Sequence, residues 1–178
     1  MNKTKIVALG VWLALVGLIV LLAVGGNDGD PTAGVSSRII GQRVPEIRGD
    51  TLDGGAYNID NARGKWVAVN FFATWCPGCV AEHPELVKFN EQAKENGQAE
   101  LVAIVFNDPA DVVAEFFAEN GGDWPVVQAS TVAVDFQVSQ IPETFLVAPS
   151  GVVTHRFQGE VTAELLWRAI ANAEGDDG

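Results

Sequence analysis

Apolar and polar residues alternate in blocks along the middle of the chain, and each block predicts one element of secondary structure. Two nearly continuous apolar runs with β-branched residues, at 66–72 and 101–106, predict buried strands. Between them, residues 76–95 carry apolar side chains at helical spacing, which predicts a helix kinked at Pro84 and ended by Gly97. This alternation of strand and helix predicts a mixed α/β sheet with helices on both faces.

The flanking segments predict the smaller elements. Short apolar alternations broken by glycine and aspartate over 44–59 predict a hairpin, and residues 144–147 and 152–157 predict a second one. The other predicted elements are a helix over 108–117 stopped at Gly121 and Gly122, a short strand at 126–128, a short helix at 132–136, and a final amphipathic helix capped by Thr162.

The N-terminal part has a different pattern. Residues 6–24 are apolar and uncharged, and at ~1.5 Å per residue they roughly span a ~30 Å hydrocarbon layer. Two lysines precede this run and the first charges after it are aspartates, so we expect a cytoplasmic N-terminus and an extracytoplasmic remainder. A cleaved signal peptide is the alternative, because the run ends in small residues, as a cleavage site does. No cysteine lies there to carry a lipid.

These patterns divide the chain into five predicted segments. The glycine- and aspartate-rich stretch after the apolar run is typical of a flexible linker. The segments are a cytoplasmic N-terminus at 1–5, a transmembrane signal anchor at 6–24, the linker at 25–40, one folded domain at 41–173 and an acidic tail at 174–178.

Charge and cysteine content narrow the function. The 178 residues carry a formal net charge of −12, which argues against binding to nucleic acid or to anionic lipid headgroups. The chain has two cysteines, Cys76 and Cys79, only two residues apart. An exported domain with that single pair has no framework of structural disulfides, so the two thiols are expected to react.

The position of the pair explains how it could react. Cys76 falls at the start of the predicted helix, where free N–H groups and the helix dipole stabilise a thiolate, and Cys79 lies one turn further in. Cys76 is therefore the expected attacking thiol and Cys79 the resolving one. The alternatives are an inert disulfide and a zinc site, for which only His83 and His155 remain as further ligands, at a spacing unlike that of zinc fingers.

A second segment, 140–147, reads Q-I-P-E-T-F-L-V. Its proline immediately precedes a predicted strand, and the X-Pro bond is the one place where a cis peptide is inexpensive. A plain proline at the entry to a strand is the alternative. Together with a C-x-x-C at a strand–helix turn, the segment favours a cis bond before Pro142.

These motifs resemble the thioredoxin superfamily and, within it, the membrane-tethered TlpA/ResA/DsbE-like branch. The resemblance covers about 41–173. The residues that carry it are the W-C-P-G-C at 75–79 with the strand before it, I-P-E-T-F at 141–145, Cys79-x-x-Glu82-x-Pro84, Gly64-Lys65, and the hairpin region at 44–59.

The resemblance implies a thioredoxin-like α/β fold with a central mixed β-sheet flanked by helices, an N-terminal β-hairpin extension and a single N-terminal transmembrane helix. It implies that Cys76 is the nucleophile and Cys79 the resolving thiol of a redox-active disulfide, and that Pro142 is a cis-proline. The backbone of Ile141 would then pair with a bound substrate peptide as an added strand.

The resemblance also gives roles to acidic and groove residues. Thioredoxin has a buried aspartate where this chain has Asn70, whereas the tethered branch places an acid after the second cysteine, and Glu82 matches that acid. Its implied role is to accept the proton of the resolving thiol, with a solvated helix carboxylate as the alternative. Trp75, Pro77 and Glu143 are expected to border the substrate groove, and Glu143 to add negative potential there.

The function implied is that of an extracytoplasmic thiol-disulfide oxidoreductase, without a cofactor or metal, that reduces the haem-attachment disulfide of apocytochrome c. Its electrons would come from an integral-membrane thiol partner, and the anchor would hold it in the cell membrane near that partner. An oxidase that introduces disulfides into secreted proteins is the alternative. A peroxiredoxin fits poorly, because Ala73 and Val69 occupy positions where its motif needs Thr or Ser and Pro. A copper chaperone of the related class uses C-x-x-x-C, so only His155 keeps that alternative open.

Overall fold

The computed structural model describes Trp12 and residues 38–176. The predicted anchor at 6–24, apart from Trp12, and most of the predicted linker lie outside these residues. Within them, no helix combines the length and the apolar character needed to cross a membrane. In chain order the elements are β1 (Arg48–Asp50), β2 (Ala56–Asn58), a 3-10 turn (Ile59–Ala62), β3 (Trp66–Phe72), α1 (Pro77–Asn96), β4 (Ala99–Val105), α2 (Ala110–Asn120), β5 (Val126–Val127), α3 (Ser130–Asp135), β6 (Glu143–Val147), β7 (Val153–Gln158) and α4 (Ala163–Asp176).

Strand β3 is the centre of a five-stranded mixed sheet with the order β5-β4-β3-β6-β7. It runs parallel to β4 and antiparallel to β6, so that Val69 lies between Val102 and Phe145. All seven residues of β3 are buried, since the strand has neighbours on both edges and packed layers on both faces. This accounts for the unbroken apolar run and confirms the predicted α/β sheet.

Two hydrophobic layers cover the sheet. Consecutive residues of a strand point to opposite faces, so Phe72 packs with Leu86 and Leu166 on one side, while Phe71 packs with Phe136 on the other. The first layer joins β3 to α1 and α4, and it also contains both cysteines. The cysteine pair is therefore part of the buried core between the sheet and its helices.

Helix α1 follows β3 after a four-residue turn and matches the predicted helix closely. Pro84 lies inside the helix, and the helix ends at Gly97, whose φ of 70° is the left-handed conformation that glycine adopts without strain. The Gly97 N–H donates to the Ala93 carbonyl and so closes the last turn.

The N-terminal hairpin predicted within 44–59 is present as the antiparallel pair β1 and β2. It forms a small sheet of its own, and an isolated bridge between Thr51 and Val127 ties it to β5. Ile47, just before β1, is completely buried in the layer that contains Phe71. The extension is thus packed onto the sheet on the face opposite α1.

Candidate active site

The two sulfur atoms are bonded to each other at the N-terminus of α1. Cys76 is the N-cap residue, and its sulfur accepts the backbone N–H of Cys79 at 3.1 Å. Pro77 occupies the first helical turn, where no N–H is needed. Cys76 keeps 4% of its surface exposed and Cys79 none, so a substrate can reach only the first of them. The arrangement fits attack by Cys76 and resolution by Cys79.

The segment before β6 faces this disulfide. The Ile141–Pro142 peptide bond is cis, as the sequence predicted. A Cβ atom placed on Gly78 would lie 3.0 Å from Pro142 Cδ, which is too close for comfortable packing. Glycine between the two cysteines therefore lets Pro142 sit directly against the C-x-x-C turn, and Ile141 lies half-buried beside it.

The Glu82 carboxyl group is buried within the protein. The residue is 2% exposed, Oε1 accepts a hydrogen bond from Asn70 Nδ2 at 2.8 Å, and Oε2 accepts one from the Val161 N–H at 3.0 Å. Burial raises the pKa of Glu82 to about 7; the two hydrogen bonds oppose this rise and the negative charge of Glu160 adds to it. The alternative interpretation of Glu82 as a solvated helix carboxylate is therefore wrong. The buried carboxyl group can take up or release a proton near neutral pH.

Asn70 connects Glu82 to the strand that follows the cis-proline. Its Nδ2 donates to Thr144 Oγ1 at 2.9 Å as well as to Glu82, so one side chain on β3 joins α1 to β6. Its Oδ1 is buried without a partner among the described residues. A polar residue in an otherwise apolar strand was the available sequence signal for this contact, although its partners could not be read from the sequence.

Glu143 is placed differently from the expectation. It is completely buried, and its carboxylate forms an ion pair with Arg156 on β7. The guanidinium compensates the negative charge, so Glu143 presents a paired carboxylate and not free negative potential at a groove. Glu143 follows Pro142 in the chain, but its carboxylate is paired with Arg156.

Trp75, the residue before Cys76, is an exposed aromatic side chain next to the site. Its ring is 56% exposed, the indole N–H donates to the Asn107 carbonyl at 3.1 Å, and the ring centroid lies 6.5 Å from that of Phe106. Phe106 in turn lines a cavity of about 210 Å³ together with Val134 and Val138. The surface beside the disulfide therefore continues from Trp75, through Phe106, to an apolar depression.

Glu160 is a residue of this site that the sequence reasoning missed. It is exposed, and its Oε1 would lie 3.3 Å from a Cβ atom on Gly78. It is distant from the cysteines in sequence and belongs to no motif of the chain. Nothing in the sequence could have placed it over the C-x-x-C turn.

The two histidines pack against aromatic rings. His83 is buried among the rings of Phe116, Phe117 and Trp124, and its Nε2 lies 2.9 Å from the Gly121 carbonyl. His155 stacks on Phe157. Among the residues described, no group of three or more His, Cys, Asp or Glu side chains is arranged to hold a metal ion.

Comparison with known proteins agrees with this geometry. The Redoxin family model matches residues 39–175. The chain is 34% identical over 140 residues to the thiol:disulfide interchange protein DsbE homolog of Paracoccus denitrificans, a match that covers 76% of this chain and 74% of that protein. It is 29% identical over 167 residues to thiol:disulfide interchange protein DsbE of Vibrio cholerae, with 91% and 88% covered.

A solved structure extends the likeness to the fold. The thioredoxin-family thiol:disulfide interchange protein from Chlorobium tepidum superposes with a TM-score of 0.68 at 26% identity, covering 78% of this chain and 99% of that one. The fold, the bonded cysteine pair and the family match lead to one conclusion. The chain belongs to the Redoxin family, with a thioredoxin-like fold, and is a thiol-disulfide oxidoreductase.

Proposed function

We propose that this oxidoreductase works as a reductant of client disulfides outside the cytoplasm. The observation that carries the proposal is the buried Glu82, one helical turn after Cys79 on α1. Dithiols become strong oxidants when their reduced form, with its thiolate, is stabilised. A carboxyl group close to the pair does the opposite, because its anion repels a thiolate and so favours the disulfide.

The reaction takes two steps and moves two electrons from the protein to the client. The Cys76 thiolate attacks one sulfur of the client disulfide, forming a mixed disulfide and releasing the other client sulfur as a thiolate. The Cys79 thiol then gives its proton to the Glu82 carboxylate and attacks the Cys76 sulfur. The second client sulfur leaves, and the Cys76–Cys79 disulfide forms.

We propose that the client binds to the surface around Pro142. The backbone of Ile141 pairs with an extended client segment, while Trp75 and Pro77 border the groove that holds it. The exposed indole of Trp75 and the apolar depression beyond it give the client a hydrophobic contact next to its disulfide.

The client we propose is the haem-attachment cysteine pair of apocytochrome c, in which both thiols must be free before haem is attached. The likeness to the DsbE proteins supports this choice. Electrons would come from an integral-membrane thiol partner. The apolar segment at 6–24 would anchor the protein in the cell membrane with its N-terminus in the cytoplasm, which raises the local concentration of that partner.

The deciding experiment is the equilibrium of the Cys76–Cys79 pair with glutathione. We expect a potential closer to the roughly −270 mV of thioredoxin than to the roughly −120 mV of a strong disulfide-forming oxidant. A potential well above that of glutathione would instead make the protein an oxidase. Cys79→Ser should trap mixed disulfides with clients in the membrane fraction, and Cys76→Ser, the matched control, should trap none. Failure of Cys79→Ser to trap any client would contradict the assigned order of attack.

A further inference from the structure

Glu160 is held in place by the residues of the active site themselves. On one side of it, the Gly159 N–H donates to the Pro142 carbonyl at 2.9 Å. On the other side, the Val161 N–H donates to Glu82 Oε2 at 3.0 Å. The segment that carries Glu160 is therefore fixed to both the cis-proline and the buried acid, and its position over Gly78 follows from these two bonds.

The Glu160 carboxylate lies close to the C-x-x-C turn and is free to act on it. It reaches the position that a side chain at residue 78 would occupy, and Gly78 leaves that space empty. Within residues 38–176 no cation is paired with it and no hydrogen bond is made to it. An exposed and unpaired anion thus stands at the helix N-terminus that would otherwise stabilise the Cys76 thiolate.

We propose that Glu160 is a further functional residue of the disulfide site, which disfavours the Cys76 thiolate and selects clients that carry a cationic side chain beside their disulfide. The first effect is repulsion between like charges across the turn. The second is attraction between Glu160 and a lysine or arginine of the client, together with repulsion of acidic clients. The selection of clients rests on the proposed reductase function, whereas the effect on the thiolate does not.

The first test measures ionisation of Cys76 in the reduced protein, from the rate of alkylation by iodoacetamide as a function of pH. For an exposed charge this close, Coulomb's law gives a roughly threefold to tenfold change in the thiolate equilibrium at low salt. At pH values below the midpoint of the alkylation profile, Glu160→Gln should therefore raise the alkylation rate of Cys76 by that factor. This increase in rate should become smaller at high salt. Glu95→Gln, which removes the same charge from the far end of α1, is the matched control and should leave the rate unchanged.

Glu160→Gln also acts through Glu82, and in the opposite direction, because loss of the Glu160 charge lowers the pKa of Glu82 and the Glu82 anion disfavours the thiolate. The same substitution in a Glu82→Gln background separates the two routes. If Glu160 acts on the thiolate directly, the increase persists there. If the increase disappears in that background, or if Glu160→Gln changes alkylation no more than Glu95→Gln does, the thiolate effect is refuted.

The second test compares two disulfide peptides that differ only in having lysines or glutamates beside the cysteines. The unmodified protein should reduce the lysine peptide faster by roughly threefold to tenfold at low salt. Glu160→Gln should bring this ratio towards one, and Glu160→Lys should invert it. A ratio that stays the same in both variants would overturn the proposed selection.

The two proposals fail in distinguishable ways. An oxidising potential against glutathione would reject the reductase function, yet the alkylation shift in Glu160→Gln would still establish the effect on the thiolate. A reducing potential with unchanged alkylation and an unchanged peptide ratio would keep the reductase function and reject the role of Glu160.

Discussion

The buried carboxyl group of Glu82 should make the stability of the domain fall as the pH rises. Its pKa is about 7 in the folded protein against an ordinary value of 4.5, so between these values the folded state holds a proton that the unfolded state has released. Stability from this group is therefore complete below pH 4.5 and is lost as the pH rises towards 7 and beyond. Glu82→Gln removes the titrating group while keeping the shape of the side chain.

The size of the effect follows from the shift. A difference of about 2.5 pH units, at ~1.36 kcal/mol per unit, gives about 3 kcal/mol between pH 4.5 and pH 8. The amide introduced by Glu82→Gln keeps one acceptor oxygen for the hydrogen bonds from Asn70 and Val161 and loses the other. That loss costs about 1–3 kcal/mol, but it is the same at every pH and so leaves the slope unaffected.

The measurement is denaturant unfolding of the oxidised protein and of its Glu82→Gln variant from pH 4.5 to pH 8. All other titrating groups are common to the two proteins and cancel in the difference. We expect the difference in unfolding free energy to change by about 3 kcal/mol across this range, in favour of the variant at high pH. Parallel pH profiles for the two proteins would show that Glu82 has an ordinary pKa, and the reasoning from its burial would be wrong.

Three further predictions concern the surroundings of the disulfide. Burial lowers the pKa of His83 below 6.5, so the unfolded state binds the extra proton and stability should fall as the pH drops below 6.5; in His83→Gln this acid-side loss should disappear from the unfolding profile. Asn70→Leu leaves Glu82 Oε1 and Thr144 Oγ1 without their common donor, so stopped-flow reduction of a peptide disulfide should show a slower resolution step, whereas Asn70→Gln should restore part of the rate. Trp75→Ala should raise KM for a peptide client more than it lowers kcat, since the ring offers contact area and no reacting atom; an effect confined to kcat would contradict this.

The parts of the structure that depend on local pattern could be predicted from the sequence. Strand β3 was predicted with its observed bounds, because a central strand buried on both faces is an unbroken apolar run. The cis bond before Pro142 was predicted because the choice was between only two isomers and the neighbouring motif favoured one of them. In both cases the deciding information lay within a few residues of the feature.

The electrostatics of the site depended on contacts that the sequence does not encode locally. Glu143 could not be recognised as a paired residue, because its partner Arg156 lies on the next strand and the register between β6 and β7 decides the contact. Likewise, the Val161 N–H that donates to Glu82 lies 79 positions further along the chain. A motif can identify the acid near the thiols, but only the packing of α4 and of the loop that carries Val161 against α1 determines whether that acid is buried.

In the proposed reaction, the burial of Glu82 couples the transfer of a proton to the transfer of electrons. Residues three apart on a helix lie on the same face, so the Glu82 carboxylate and a Cys79 thiolate would be neighbouring anions in a space with little water. Such groups titrate as a pair, and in the proposed resolution step Glu82 accepts the proton that leaves Cys79. A pKa of about 7 leaves Glu82 part ionised at neutral pH, so that it can accept this proton during resolution and release it afterwards. An acid with an ordinary pKa would be a weaker base for the thiol, and one with a much higher pKa would already hold a proton. The expected loss of folding stability at high pH and the proposed transfer of the Cys79 proton therefore have the same cause, which is the placement of a carboxyl group between the central strand and the loop that carries Val161.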